Sequence, residues 1–193
     1  MPSQVPVLDH PAEAELFGDA LTCDAWLPVD FRLGDRRLAP QAGEAVLRAV
    51  AVAEDSRNDD PDERGDLPQS FLRMEAKVDL MLNLLGRLAR QSADALPLRA
   101  LRWSHLGLRI DTDIAYAARI SERGVAMIEP ASWLSDHIEL PARVIAQSVD
   151  ISGRHHTWLR FEPMAPALAD ALERHLFRMH RRQIAEARQA RQG

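Results

Sequence analysis

Phe71, Met74, Val78, Met81, Leu85 and Leu88 recur at intervals of three and four residues, the repeat that draws one apolar stripe down a helix. With Phe71, Val78 and Leu85 at a positions, the flanking e and g sites hold Glu75 and Lys77 early on and Leu82, Leu84 and Ala89 in later turns. Apolar flanks widen the seam beyond a two-stranded one. Leu80 makes another side of the same segment oily. The pattern predicts a helix over about 68–91, opened by Pro68 where a fixed φ and a missing donor cost nothing. Its apolar surface must be covered by the chain's own elements, by copies of itself, or by both. A buried helix of a monomer is the plain alternative. A homotetramer suits the width of the seam, and its expected interface is Phe71, Met74, Val78, Met81, Leu82, Leu85 and Leu88.

Elsewhere the periodicity differs. Trp26 to Phe31 reads as a first strand with Pro28 near its edge, and Glu44 to Ala53 reads as a three-turn helix with Val46, Leu47 and Val50 on one face. Seven acidic residues with Pro61 and Gly65 mark 54–66 as a solvated loop. From Ala95 the pattern becomes alternation. Leu96, Leu98, Ala100 and Arg102 share one face, and after a bend at Gly107 the run Leu108, Ile110 and Thr112 keeps period two. Strands over 125–128, 138–149 and 157–161 follow, the last two joined by a turn at Asp150-Ile-Ser-Gly153. Short, evenly spaced strands with no helices between them predict an antiparallel barrel or sandwich. Pro166 opens a last helix, with Leu168, Leu172, Leu176 and Met179 on one face, suited to cap it.

Composition bounds this picture without redrawing it. The chain has 193 residues, 46% hydrophobic and 27% charged, which fits one ordinary domain with an insertion. No apolar run is long enough for a membrane span, and the first ten residues show no secretory signal, so a cytoplasmic home is expected. The lone Cys23 has no partner for an internal disulfide and should pack as a small apolar residue. A net charge of -5 argues against nucleic acid as a partner. Lys77 is the one lysine among 24 basic residues, so pairs of spaced arginines arise by chance. The arginine-rich tail from Arg174 suits a helix C-terminus, with an anionic partner site as the alternative.

The segment Leu101-Arg-Trp-Ser-His-Leu-Gly-Leu-Arg-Ile110 has the form Ser-x-x-Gly followed by an alternating strand. It resembles the Asp/Asn-x-Ser-x-x-Gly signature of PilZ domains, and the later strands, Phe161 at a strand end and the final helix extend the resemblance over about 95–185, with Trp26 to Phe31 similar to the family's first strand. The resemblance implies an α+β fold: a six-stranded antiparallel β-barrel with a helical insertion at 41–92 and a C-terminal capping helix, over 24–193, after an N-terminal segment 1–23. Many PilZ domains bind the bacterial second messenger cyclic di-GMP, gripping phosphate with an Arg-x-x-x-Arg arm before the barrel and a guanine with the signature turn. This chain departs at both places. Arg102 replaces the signature acceptor, leaving a remnant of Arg102, Ser104 and Gly107; Arg32 and Arg36 have the arm's spacing but follow the first strand. The resemblance therefore implies a degenerate member without cofactor, acting through protein contacts in motility, pilus or virulence regulation. A cyclic di-GMP receptor with an unfamiliar arginine site is the alternative.

No enzyme or metal site emerges. His155 and His156 are adjacent in a strand and face opposite ways, and His175 and His180 are poorly aligned on a helix. Ser135-Asp136-His137 reads as a turn, and Asp111 and Asp113 as solvated carboxylates at a strand end. Trp103, Trp133 and Trp158 read as packing residues, with base stacking as the alternative.

Overall fold

The structure, a computed structural model, describes residues 5–34, 40–58, 95–131, 134 and 136–192, with seven helical positions between 73 and 84. Its strands are β1 (Cys23–Leu33), β2 (Leu98–Trp103), β3 (Gly107–Thr112), β4 (Arg123–Ile128), β5 (Ile138–Val149) and β6 (His155–Phe161). They close into one antiparallel barrel in the order β1-β2-β3-β6-β5-β4, which leaves no sheet edge open. Helix α1 (Pro11–Phe17) precedes the barrel, α2 (Pro40–Asn58) follows β1, and α3 (Pro166–Gln192) follows β6.

Local chemistry explains the joints. β1 pairs with β2 through Cys23–Pro28 and with β4 through Val29–Leu33, so Pro28, which has no N–H to donate, stands where the strand changes partner. In β5, buried Ile138, Leu140, Ala142 and Val144 alternate with partly exposed Glu139, Pro141 and Arg143. The turn to β6 is built by Asp150, whose carboxylate accepts the backbone N–H of Ser152 at 2.8 Å and of Arg154 at 3.0 Å. Gly153 supplies the left-handed φ of 83° that the turn requires. The Ser152 hydroxyl, foremost among these donors, holds the Asp150 carboxyl below the usual carboxylate range.

The core runs from the barrel interior into the helices that cover it. Leu101, Trp103, Leu108, Ile110, Leu140, Val144 and Leu159 share one cluster with Val46 and Leu47 of α2 and Leu168, Leu172, Leu176 and Met179 of α3. Cys23 is fully buried in it, and its thiol donates to the Leu176 carbonyl at 3.3 Å. Burial pushes that thiol up to about 12, so it packs as an inert apolar group.

The barrel, the turn at Asp150, the last helix and the role of Cys23 match the expectations from sequence. Several details differ. The first strand and the helix after it are longer than their apolar patterns, because backbone pairing and packing carry past the last periodic residue. Leu98, Ala100 and Arg102 do share a face, but it is the outer one; Leu101 and Trp103 fill the barrel. The N-terminal segment contains α1, a helix of two turns, too short for periodicity to reveal. Two tail arginines do more than complement a helix dipole. Arg178 and Arg182 hold the buried Glu54 of α2 at 3.3 and 2.8 Å, fastening the insertion to α3.

Candidate functional site

Strand register lines up one row of outward side chains. Asp24 of β1 faces Arg102 of β2, Arg102 faces Arg109 of β3, Arg109 faces Trp158 of β6, and Trp158 faces Ala146 of β5. Outside a barrel such a row would ordinarily meet water. Here Arg109 and Trp158 are wholly buried, because α1 and the residues before it lie across them.

Each contact of that cover is specific. The Arg109 guanidinium donates to the Glu13 carboxylate and, at 2.8 Å, to the Pro6 carbonyl. On its other side it pairs with Asp111 at 2.9 and 3.2 Å. Trp158 Nε1 donates to the same Glu13 oxygen at 3.2 Å. The His10 ring stacks on Trp158, centroids 4.4 Å apart and planes within 16°. The Ser104 hydroxyl donates to the Leu16 carbonyl at 2.7 Å. Ala12, Leu16 and Phe17 complete an apolar cluster with Trp158 and Ala146, and Arg102 lies over the Phe17 ring. Helix α1 is itself started by Pro11 and by the His10 ring, which accepts the Ala12 N–H at 3.1 Å.

Arg102, Ser104 and Gly107 thus come together on one surface. Ser104 both forms its turn, accepting from the Leu106 N–H at 3.1 Å, and anchors α1. Gly107 has no room for a side chain: an added Cβ would collide with the Leu159 carbonyl and lie 3.1 Å from Leu16 Cδ2. Arg102 is held less well than Arg109. Its nearest carboxylate oxygens are 3.6 Å away on Glu13 and 3.8 Å away on Asp24, and its Nε and Nη1 make no hydrogen bond. Burial pushes the Asp24 carboxyl up, against the pull of Arg102 and Arg109.

The expectation for Asp111 needs correction. Asp111 is buried at 5% exposure, paired with Arg109 and with His156 Nδ1 at 2.7 Å, whereas Asp113 is exposed. The strand does not end in solvent there, because β6 and the Asp150 turn cover it. His156 is likewise buried, between Asp111 and Asp150. Trp103 lies in the core, Trp158 lies under α1, and Trp133 is outside the described residues. Arg32 is exposed, and Arg36 is outside the described residues. Glu13, His10 and Arg109 were not expected at a site. A charged Arg109 between Leu108 and Ile110 does mark an outward strand position, but no local pattern names what covers it.

A second surface lies on the insertion. Met74, Val78, Leu80, Met81 and Leu84 are all helical, with 58%, 43%, 59%, 55% and 53% of their surface exposed. At 100° per residue they span an arc of about 160° on one helix. Phe71, Leu82, Leu85 and Leu88 lie outside the described residues. Among the described residues no helix is long and apolar enough to cross a membrane. Nor, among them, does any group of three or more His, Cys, Asp or Glu side chains stand close enough to hold a metal ion.

A closed six-stranded antiparallel barrel with a Ser-x-x-Gly turn between β2 and β3 and a helix after its last strand is the architecture of a PilZ-type domain. The model of the atypical PilZ domain, described as a cyclic di-GMP receptor, matches residues 47–189. The chain belongs to this family. It is similar to a pathogenic protein of Xanthomonas campestris at 41% identity, over 94% of this chain and 99% of that one, with a TM-score of 0.74. That protein is described as a tetrameric PilZ domain self-assembled through an unusual helical bundle. An inhibitor of motility from Bacillus subtilis matches at 20% identity over 49% of this chain and 44% of that one, with a TM-score of 0.38. No curated protein matches the chain.

Proposed function

We propose that this protein is a PilZ-type adaptor that self-associates through the helix of its insertion, as a tetramer, and regulates by contact with other proteins without taking up cyclic di-GMP. The observation that carries this reading is the exposed stripe of Met74, Val78, Leu80, Met81 and Leu84. Large apolar side chains gain roughly 1.5–3 kcal/mol each on full burial, and five on one arc leave a single chain with a surface that water does not favour. The tetrameric helical bundle of the 41% identical relative supplies a precedent for what covers it. The unoccupied-face requirement of a nucleotide receptor supports the second half: the row that would meet a ligand is covered by α1, and Arg102 stands where the signature has an acceptor.

The domain then spans 24–193, with the insertion at 41–92 and the assembling helix over about 68–91. Regulation of motility or virulence in the cytoplasm is the process this class of adaptor suits, with proteins of a signalling or pilus system as partners. The second reading, a cyclic di-GMP receptor, is favoured by the description of the family itself. Sedimentation of Met81→Glu/Leu84→Glu tests the assembly: the wild type runs as a tetramer, and the variant dissociates with its strand signal intact in circular dichroism. Calorimetric titration of the wild type with cyclic di-GMP tests the rest. Saturable micromolar binding overturns the adaptor reading in favour of the receptor.

A further inference from the structure

The way α1 covers the barrel has the chemistry of a bound nucleotide. A nucleotide offers a planar ring to stack, an anion to neutralise and carbonyl acceptors on the base edge. Residues 10–16 offer the same three things to the same surface. The His10 ring stacks flat on Trp158. The Glu13 carboxylate sits between Arg109, Trp158 Nε1 and, more loosely, Arg102. The Leu16 carbonyl accepts from Ser104. A side chain at Gly107 would crowd Leu16, whose Cδ2 lies 3.1 Å from where a Cβ would stand. A helix of seven residues has little stability of its own, so this segment is ordered by what it touches.

We propose that His10–Leu16 is an internal ligand mimic: a segment of the chain that occupies the anion- and ring-binding face of its own barrel and keeps a cyclic dinucleotide out. The proposal rests on the reading that the whole chain does not take up cyclic di-GMP, and it gives that reading a cause other than loss of the binding residues. The fit of the mimic is uneven, which argues for a surface shaped to more than Glu13 alone. Arg109 is fully used, whereas Arg102, its side chain only 15% exposed, keeps two donors without a hydrogen bond. One Glu13 oxygen serves Arg109 and Trp158, while the other, Oε2, stops 3.6 Å short of Arg102 Nε and is itself buried without a hydrogen bond. A phosphate group presents more acceptor oxygens and would reach both arginines.

Competition with a tethered occupant sets the size of the effect. A segment joined by a few residues acts at an effective concentration in the millimolar range, so removing its grip should raise the affinity for a free ligand by tenfold or more. The test is calorimetric titration of cyclic di-GMP into the full-length wild type and into full-length His10→Ala/Glu13→Ala/Leu16→Ser, with far-UV circular dichroism to establish that the barrel is intact. Binding by the variant at least tenfold tighter than by the wild type, abolished when Arg102→Ala is added, is the expected result. A folded variant that binds no better than the non-binding wild type overturns the mimic and leaves the adaptor reading standing. Tight binding by the wild type, weakened in the variant, overturns both. Should the triple variant fail to fold, His10→Ala/Glu13→Gln retains the apolar contacts of Leu16 and Phe17 and is held to the same comparison.

Discussion

His175 gives the barrel an acid-sensitive core. Its side chain is wholly buried on α3, edge-on to Trp103 at 5.8 Å, and neither ring nitrogen has a hydrogen bond of good geometry. Burial, reinforced by the positive charges of Arg178 and Arg182, pulls its pKa from 6.5 down to about 3; the Pro130 backbone, working the other way, does not offset this. Between those two values the unfolded chain binds a proton that the folded chain refuses. Stability is therefore complete above about pH 6.5 and falls as the pH drops toward 3. At 1.36 kcal/mol per pH unit, the two units from 6.5 to 4.5 are worth roughly 3 kcal/mol. The perturbation is His175→Leu, which keeps the volume and removes the titration. Urea unfolding of both proteins at pH 7.5 and 4.5, at one fixed protein concentration because assembly contributes to stability, isolates this residue from every carboxylate the two share. The wild type should lose roughly 3 kcal/mol more than the variant over that interval. Equal losses would refute the reasoning.

Three further outcomes follow from particular contacts. Glu54→Gln should cost about 1–3 kcal/mol by breaking the buried clasp between α2 and α3, and hydrogen exchange should quicken in α2 while the barrel strands keep their protection; uniform exchange would count against it. Cys23 should resist iodoacetamide in the native protein and react fully in urea, since its thiol is buried and pushed up to about 12; rapid native labelling would show that the core around it opens. Gly107→Ala should lower thermal stability sharply, as an added methyl must displace the Leu159 carbonyl and Leu16; an unchanged melting temperature would mean that β3 and β6 are spaced more widely than described.

β5 was legible because it is half buried. It alternates inside and out over the seven residues from Ile138 to Val144, up to the register shift before Ala146, and that period of two has no helical reading. Of the expected stripe, Met74, Val78 and Met81 lie among the described residues, helical and exposed at the spacing of four and three that predicts one helix face. The cover on the barrel was not legible. α1 buries Ala12, Leu16 and Phe17 against residues more than a hundred positions away, and its seven residues hold too few turns to establish a period. The partnership of Glu13 with Arg109 spans 96 residues of sequence, so neither residue carries a local trace of the other. Asp111 was misjudged on the same ground, since the His156 that buries it arrives 45 residues later. Local pattern reports which residues share a face of a strand; only the closed barrel reports which face is outside and what lies on it.

The account stands or falls on whether the exposed stripe is met by other copies of the chain. Light scattering of the wild-type protein during size exclusion, at concentrations from micromolar upward, reads this directly. Four chains of 21.6 kDa predict a mass of about 86 kDa in solution. A constant mass of 21.6 kDa across the dilution series would contradict it.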